Sequence, residues 1–569
     1  MNSSPKKSRV KEVSAQIKRG RKSSAQTQAP KPSVTSQTLL TPQAQPELVI
    51  GLVGPVGVNL DPIIAALGDS LGVAKYDTHT IRLSKLIEKL AEVDFSTGPE
   101  HNRIGNLMTL GTHLREKSQS GDAAAVLAIA EISRIRADEI SSTEADTKGQ
   151  AFILRSLKHP AEIERLRAIY GKGFLLISVY SPRDVRVAAL AERLGRVGAN
   201  AKRLARSRAE ELIARDESED DKDLGQDVQD AFPLADLFVD ARNTERLRSE
   251  IKRFLHLTFG NRFRTPTKDE HGMFHARAAA LRSADLNRQV GAAIMVNGSD
   301  VVTVGCNDVP KFGGDQYWEG DADDGRDFTR EIDSSAEQRL QMFEELFERL
   351  HSHGYLKAEK VEQGVHKLVP ALVNGSEKKV LKGIGLMNLL EFGRSVHAEM
   401  AALMSAARLG KSVSGATLYC TTFPCHMCAR HIVASGIKRV VYIEPYPKSR
   451  AKQLHADAIA VDPIVPSFKQ VNFEPFEGIA PRQYQSIFSA DDLRKTNEGR
   501  IRPWRMADGK VRFQRYLSTY RELEIALIES VVPELQKAIF PLPSNFEGTH
   551  HVSTANPERA NRTRSKRGT

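Results

Sequence analysis

The chain has 569 residues, 40% of them hydrophobic and 27% charged, with a formal net charge of +11. At ~150 residues per domain, this length calls for several domains, with ample apolar material for their cores. No run approaches the ~18 apolar residues of a membrane helix, no apolar stretch follows the basic N-terminus as a secretory signal would require, and four cysteines are too few for a disulfide scaffold. These features predict a cytoplasmic protein of a reducing compartment with no membrane partner.

Residues 1–46 carry nine Lys/Arg against the single acid Glu12, a net of +8, and are rich in Ser, Gln and Pro without aromatics. Residues 551–569 carry five Lys/Arg against Glu558, a net of +4. Such segments bury too little apolar surface to offset chain entropy, so both are expected to be disordered basic tails. The basic excess therefore sits in the tails, and 47–550 is close to neutral. A strongly basic nucleic-acid groove is not indicated by that balance.

Leu48 to Val53 is an apolar strand run, followed by the glycine-rich turn Gly51-Leu52-Val53-Gly54-Pro55-Val56-Gly57-Val58-Asn59-Leu60-Asp61 and a helical stretch to Leu71. Strand-like runs recur at 152–154, 174–180 and 237–240 with amphipathic helical segments between them. This alternation predicts a parallel sheet wrapped by helices over 47–260. Strand, glycine turn and helix form the layout of a phosphate-cradling loop, with Gly54 and Gly57 as its candidate nucleotide-binding residues. Such a loop ends in Gly-Lys-Ser/Thr, whereas here Asn59, Leu60 and Asp61 stand in those places. The charge for β/γ-phosphates and the hydroxyl for Mg²⁺ are both missing, so phosphoryl transfer is not expected. With Phe152 to Pro160, Tyr180-Ser181-Pro182-Arg183 and Ala235 to Asp240, the region resembles a nucleoside-monophosphate-kinase-type fold with a degenerate loop. That resemblance implies either a regulatory nucleotide site or scaffolding.

A second α/β unit is predicted over 265–470. It comprises a helix at 273–284, an antiparallel pair at 291–296 and 301–304, a helix around 396–408, a strand at 417–420, a helix starting near Cys425 and a strand at 439–443. An insertion at 311–390 is partly helical (335–350). Residues 471–550 show no motif beyond a helix at about 515–540.

The chemistry-bearing pattern is His397-Ala398-Glu399 followed by Pro424-Cys425-His426-Met427-Cys428. Zinc prefers nitrogen and thiolate ligands, and a catalytic site uses three of them plus water. His397, Cys425 and Cys428 are the candidate ligands, and Glu399 the candidate proton carrier beside them. His426 and His431 read as histidines of a helix surface. On an ideal helix residues 397 and 399 point to nearly opposite sides, so the motif demands an unusual entry into its helix.

The H-x-E…P-C-x-x-C spacing is that of zinc nucleobase deaminases, and residues 270–465 resemble the cytidine/deoxycytidylate deaminase superfamily, which forms an α/β/α sandwich. Arg282-Ser283, Gln289-Val290-Gly291-Ala292 and Gly305-Cys306-Asn307-Asp308-Val309-Pro310 add to the likeness. It implies Zn²⁺ on His397, Cys425 and Cys428, proton transfer by Glu399, a sugar contact by Asn307, and the Ala398 backbone against the pyrimidine edge. Lys448, just past the strand ending at Ile443, is a candidate for meeting phosphate. The kinase-like region, deaminase region and insertion together resemble the anti-phage dCTP deaminases of bacteria over 47–545. That likeness implies deamination of free deoxycytidine nucleotides, dCTP or dCMP, and depletion of dCTP during infection. It also implies a homo-oligomer restrained by an RNA or nucleotide effector. Rival readings are a housekeeping dCMP deaminase, an RNA or single-stranded DNA cytosine deaminase, and a nucleotide sensor with a vestigial site. In the insertion, Phe312 to Trp318 could form an aromatic lid. Asp315, Glu319, Asp321, Asp323, Asp324 and Asp327 read as a solvated acidic loop or as ligands for a triphosphate's Mg²⁺.

Deleting both basic tails is expected to leave nucleotide deamination largely intact, as neither holds a motif residue. Ammonia release by the truncated and full chains checks this.

Overall fold

A computed structural model describes residues 45–140, 149–195, 199–219, 222, 224–381, 384–388, 392–445, 449–489 and 494–513, with 524, 525, 528, 529, 531–535 and 537. The tails fall outside this set, as does Lys448. The helix expected over about 515–540 is described only at the last ten positions, all of them helical.

The first sheet is built from β1 (Leu48–Val53), β2 (Tyr76–Arg82), β3 (Gly149–Leu157), β4 (Phe174–Tyr180) and β5 (Leu237–Asp240), in the order β5–β4–β1–β3–β2, with every neighbour parallel. Alternate residues serve opposite faces, as the pleat requires. Leu48, Ile50, Leu52, Ile153 and Ile177 pack with α1 (Asp61–Val73) and a later helix through Ile63, Leu67, Ile251 and Phe254. Val49, Val53, Phe152, Leu154 and Leu176 face the other way, against α2 (Leu83–Ala91), α3 (Ala123–Ile140) and α4 (Pro160–Tyr170). Strand β2 has no apolar run to announce it. It is an edge strand paired only with β3, and Asp77, Thr78 and Thr80 face solvent. On the flank, α5 (Arg183–Leu194) packs against α6 (Ala199–Glu217) around Val187, Leu190, Leu212 and Ile213. The later helix named above is α7 (Thr244–Thr258), which leads out of the first unit.

The second sheet runs β10–β11–β9–β8–β6–β7. Strands β6 (Gly291–Val296) and β7 (Asp300–Cys306) form the antiparallel hairpin, and β6 also pairs antiparallel with β8 (Thr417–Thr422). Strands β8, β9 (Arg439–Glu444), β11 (Val471–Pro475) and β10 (Ile459–Val461) are mutually parallel. Helix α8 (Lys268–Ala280) covers the face of Ala293, Met295, Tyr419 and Val441. Ala292, Ile294, Leu418, Cys420 and Val440 face the opposite layer, which holds the helices that follow His397 and Cys425. The insertion forms a small core of its own around Phe343, Val361, Val365, Val369 and Leu372, on α9 (Ser334–Ser352) and α10 (Val365–Val373).

The segment after residue 470, expected to carry no motif, contributes a strand to each sheet. Strand β11 lies between β9 and β10 in the second, and β12 (Gly478–Ile479) pairs antiparallel with β5 at the edge of the first. At this joint Glu270, fully buried, accepts from Arg253 Nη1 and Nη2 at 2.7 Å each. It also accepts from the Ile479 and Thr267 backbone N–H groups at 2.7 Å. Gly478 has φ +120°, and a Cβ there would come within 2.8 Å of Glu270 Oε1, so this strand needs glycine at that position. Asp462, pushed above the usual carboxylate range by burial, is a second joint: Tyr442 donates to it at 2.7 Å and Tyr180 of β4 donates to its other oxygen.

Removing one partner of a buried, hydrogen-bonded ion pair typically costs about 3–5 kcal/mol, because the other charge is stranded. Glu270→Ala should lower the thermal unfolding midpoint by several degrees and Glu270→Gln by less. Calorimetry of the two variants measures both shifts.

Candidate active site

Two helices begin at one place on the second sheet. His397 is the N-cap of α11 (Ala398–Arg408), with extended backbone at φ −66° and ψ 154°. Cys425 is the N-cap of α12 (His426–Ala434), at φ −67° and ψ 166°. The cap position answers the requirement set by the sequence. His397 lies just outside its helix while Glu399 lies in the first turn, so residues two apart need not diverge as they would on a regular helix. Cys428 is one turn into α12, and its N–H donates to Cys425 Sγ at 3.5 Å, the bond an N-cap side chain makes. Upstream, Val396 and Asp308 exchange backbone hydrogen bonds of 2.9 and 3.3 Å, pinning the entry to His397.

The ligand atoms of His397, Cys425 and Cys428 all lie within 4.8 Å of one another. His397 Nδ1 is 3.3 Å from Cys425 Sγ and 3.4 Å from Cys428 Sγ. Tetrahedral zinc with ordinary Zn–N and Zn–S bonds separates such atoms by about 3.6 Å, within a few tenths of an ångström of these spacings. All three residues are fully or half buried. The Cys428 side chain and His397 draw Cys425 down to thiolate, far below the usual thiol value. Cys425 and burial push Cys428 up, and the hydrogen bond to Cys425 pushes His397 up to about 9. Three groups thus hold protons among themselves that a metal ion would displace. The donor set fits zinc, and the first turn of α12 supports it: the Cys428 N–H meets Cys425 Sγ at 3.5 Å, which favours the thiolate.

Glu399 is 4% exposed and lies beside Cys428 and Cys420. Burial pushes its carboxyl above the usual range. A buried carboxyl with no arginine or lysine paired to it among the described residues, next to a candidate three-ligand metal site, is suited to carrying protons rather than to an ion pair.

Ala398 is fully buried at the first position of α11. Asn307 spends its amide on a neighbouring loop. Its Oδ1 accepts from Val290 N at 2.7 Å and its Nδ2 donates to the Arg288 carbonyl at 2.6 Å. Ser283 Oγ donates to Asn307 O at 2.6 Å, and Asp308 accepts from Ala284 N at 3.2 Å. Asn307 therefore fixes the 282–291 loop beside the site. Asp308, 2% exposed, was not singled out from the sequence, although it lies inside the Gly305–Pro310 motif.

In the insertion loop, Arg282 stacks over Trp318 at 3.6 Å and donates to Gln316 Oε1 at 3.1 Å. Buried Gln316 donates to the Cys306 carbonyl at 2.7 Å, which anchors the loop to the end of β7. Most of its acids have cations of their own. Asp321 pairs with Lys311 at 2.8 Å, Asp324 with Arg326 at 2.6 Å and Asp327 with Arg394 at 2.6 Å. The aromatic Phe312 is fully exposed.

The glycine loop of the first sheet has φ +95° at Gly57, where a Cβ would come within 2.8 Å of the Arg186 carbonyl oxygen. Arg186 is buried, donates to Ser181 O and pairs with Glu217 at 2.6 Å, so it belongs to the fold around that loop. Lys158 Nζ bonds the Gly54 carbonyl at 2.8 Å.

Residues 266–444 match the cytidine and deoxycytidylate deaminase zinc-binding region. That region contains all three candidate ligands and Glu399. The deoxycytidylate deaminase of Enterobacteria phage T4 is 51% identical over 55 residues, 10% of this chain and 28% of that protein. ComE operon protein 2 of Bacillus subtilis is 42% identical over 53 residues, 9% of this chain and 28% of that protein. The chain thus spans under a third of the length of these two relatives. A crystal structure of dCMP deaminase from cyanophage S-TIM5 aligns with 37% of this chain and 96% of that one, at 17% identity and a TM-score of 0.19. Among the described residues no helix is long and apolar enough to cross a membrane.

Cys428→Ala and His397→Ala should each reduce zinc content from about one ion per chain to a small fraction. Glu399→Ala should leave it near one. Elemental analysis after dialysis distinguishes the ligands from the carboxyl.

Proposed function

We propose that the chain hydrolytically deaminates a free deoxycytidine nucleotide to the deoxyuridine nucleotide and ammonia, with dCTP as its preferred substrate. The observation that carries the reading is the buried carboxyl of Glu399 set beside the His397, Cys425 and Cys428 cluster. A zinc ion in such a three-ligand site supplies a nucleophile from water near neutral pH. The chain's own residues do the rest. Glu399 takes a proton from the attacking water at a carboxylate oxygen and gives it to ring N3 as C4 gains oxygen. It then carries the remaining hydroxyl proton to the exocyclic amine as the C4–N bond breaks. Water and cytosine give uracil and ammonia, so atoms balance. Burial serves this role, because a carboxyl raised above its ordinary range more readily accepts and returns a proton.

Asn307 orders the 282–291 loop against which the sugar would rest, and the Ala398 backbone, at the start of α11, faces the pyrimidine edge. Lys448 is the proposed phosphate contact. The first unit is a kinase-like fold with a degenerate phosphate loop, and it serves as an effector-binding or scaffolding domain. Drainage of dCTP would restrict phage replication, and a homo-oligomer in the cytoplasm, restrained by a nucleotide or RNA effector, completes the reading. Deamination of dCMP is the second reading, favoured by the deoxycytidylate deaminases among the relatives.

A side-by-side assay of dCTP, dCMP, cytidine and a cytosine-containing oligonucleotide decides among these. Faster turnover of dCTP supports the proposal, faster turnover of dCMP supports the second reading, and deamination of the oligonucleotide alone refutes both. Glu399→Ala should lower kcat by at least ~10²-fold.

A further inference from the structure

Helix α8 carries a second group of metal-ligating side chains, on the opposite layer of the second sheet from His397, Cys425 and Cys428. Its inner side is fixed by close packing. Met273 and Ala276 are fully buried, and a Cβ at Gly272 would come within 2.4 Å of the Tyr419 ring, so the helix lies directly on β8. His271 and His275 are four residues apart and therefore share one face of the helix, away from Met273. Both are half-buried.

Their Nε2 atoms are 3.3 Å apart, with the ring planes at 87°. Two imidazole nitrogens bound at about 2.0–2.1 Å to one zinc ion, at a tetrahedral angle, are separated by about 3.3–3.4 Å. Neighbouring corners of a square plane would bring them to about 2.9 Å. The pair therefore has the spacing of a tetrahedral chelate. The second nitrogen of His271 is also engaged. Its Nδ1 lies 2.9 Å from the Tyr484 hydroxyl on α13 (Tyr484–Phe488). Donation from Nδ1–H to that oxygen leaves the Nε2 lone pair as the ligand, which is how a metal-binding histidine is held by its other nitrogen. Tyr484 is itself fixed, because its ring stacks on Phe274 at 4.1 Å and meets Phe488 edge-on at 5.1 Å.

We propose that His271 and His275 form a second binding site for a divalent transition ion of the imidazole-binding class. Zn²⁺ is the best match to the spacing, with water in the remaining positions. Two protein ligands hold an ion less tightly than the three at His397, Cys425 and Cys428, so this site exchanges with the free ion and empties on dialysis against metal-free buffer. It stands beside the joint at which Glu270, the preceding residue of α8, accepts from Ile479 N of β12. A bound ion fixes His271 and through it Tyr484, which braces α8 against the segment that reaches the first sheet. The site is read by metal uptake and stability, so it stands or falls independently of the deamination chemistry.

Equilibrium dialysis of the full-length protein over a range of free Zn²⁺ tests the proposal. The wild-type chain should take up two ions in separate steps, and His271→Ala and His275→Ala should each remove the weaker step. Cys428→Ala should remove the tighter step and keep the weaker. Tyr484→Phe deletes the oxygen that holds Nδ1 and should weaken the weaker step about tenfold, the low end of the cost of losing such a partner. In the Cys428→Ala background, added Zn²⁺ should raise the thermal unfolding midpoint, and adding His275→Ala should abolish that rise. If Cys428→Ala should fail to fold, the wild type against His275→Ala carries the comparison. Absence of any step sensitive to His275→Ala up to millimolar free Zn²⁺, or a weaker step that survives loss of both histidines, would overturn the proposal.

Discussion

Everything at the zinc centre depends on one constraint, that two helices start at the same edge of one sheet. A residue at an N-cap has extended backbone, so its side chain leaves the helix axis while the next turn is already regular. With His397 and Cys425 both in that position, two candidate ligands come from caps, Cys428 comes from the first turn of α12, and Glu399 comes from the first turn of α11. The same arrangement brings the Cys428 N–H of the first turn of α12 to the Cys425 sulfur, which favours its charged form. The sheet enforces it. Strand β8 delivers the chain to Cys425, and the backbone bridge from Asp308 to Val396 delivers it to His397.

The two units are bound by polar joints as well as by packing. Glu270 gathers α7, α8 and β12 around one buried carboxylate, while Asp462 takes hydroxyls from Tyr180 of the first unit and Tyr442 of the second. Phe238 of β5 packs edge-on against Phe476, so the apolar core also crosses the boundary. A buried carboxylate with all its partners satisfied fixes geometry, since any relative slip leaves a charge unpaired in a region of low dielectric. The first unit is thus seated on the second through Tyr180, the carboxyl-terminal residue of β4.

Charge within the chain is largely spent locally. The acidic insertion loop neutralises most of its own carboxylates with Lys311, Arg326 and Arg394, which leaves them poorly disposed to hold a divalent cation. The glycine loop has consumed its anion capacity on Asp216 in the same way.

The sequence alone singled out the candidate zinc ligands, the candidate proton carrier and the alternating α/β pattern of both sheets, because those rest on local spacing and on unbroken apolar runs such as 48–53 and 174–180. The strand β2 was illegible since an edge strand needs no apolar face, and β10 to β12 were too short or too polar to register. Only the tertiary structure decided how residues 397 and 399 serve one site, because cap geometry depends on where a helix is made to begin. It alone revealed Asp216 in the glycine loop and Glu270 at the joint. Both are single carboxylates whose partners lie far along the chain, and no local pattern records a contact of that kind.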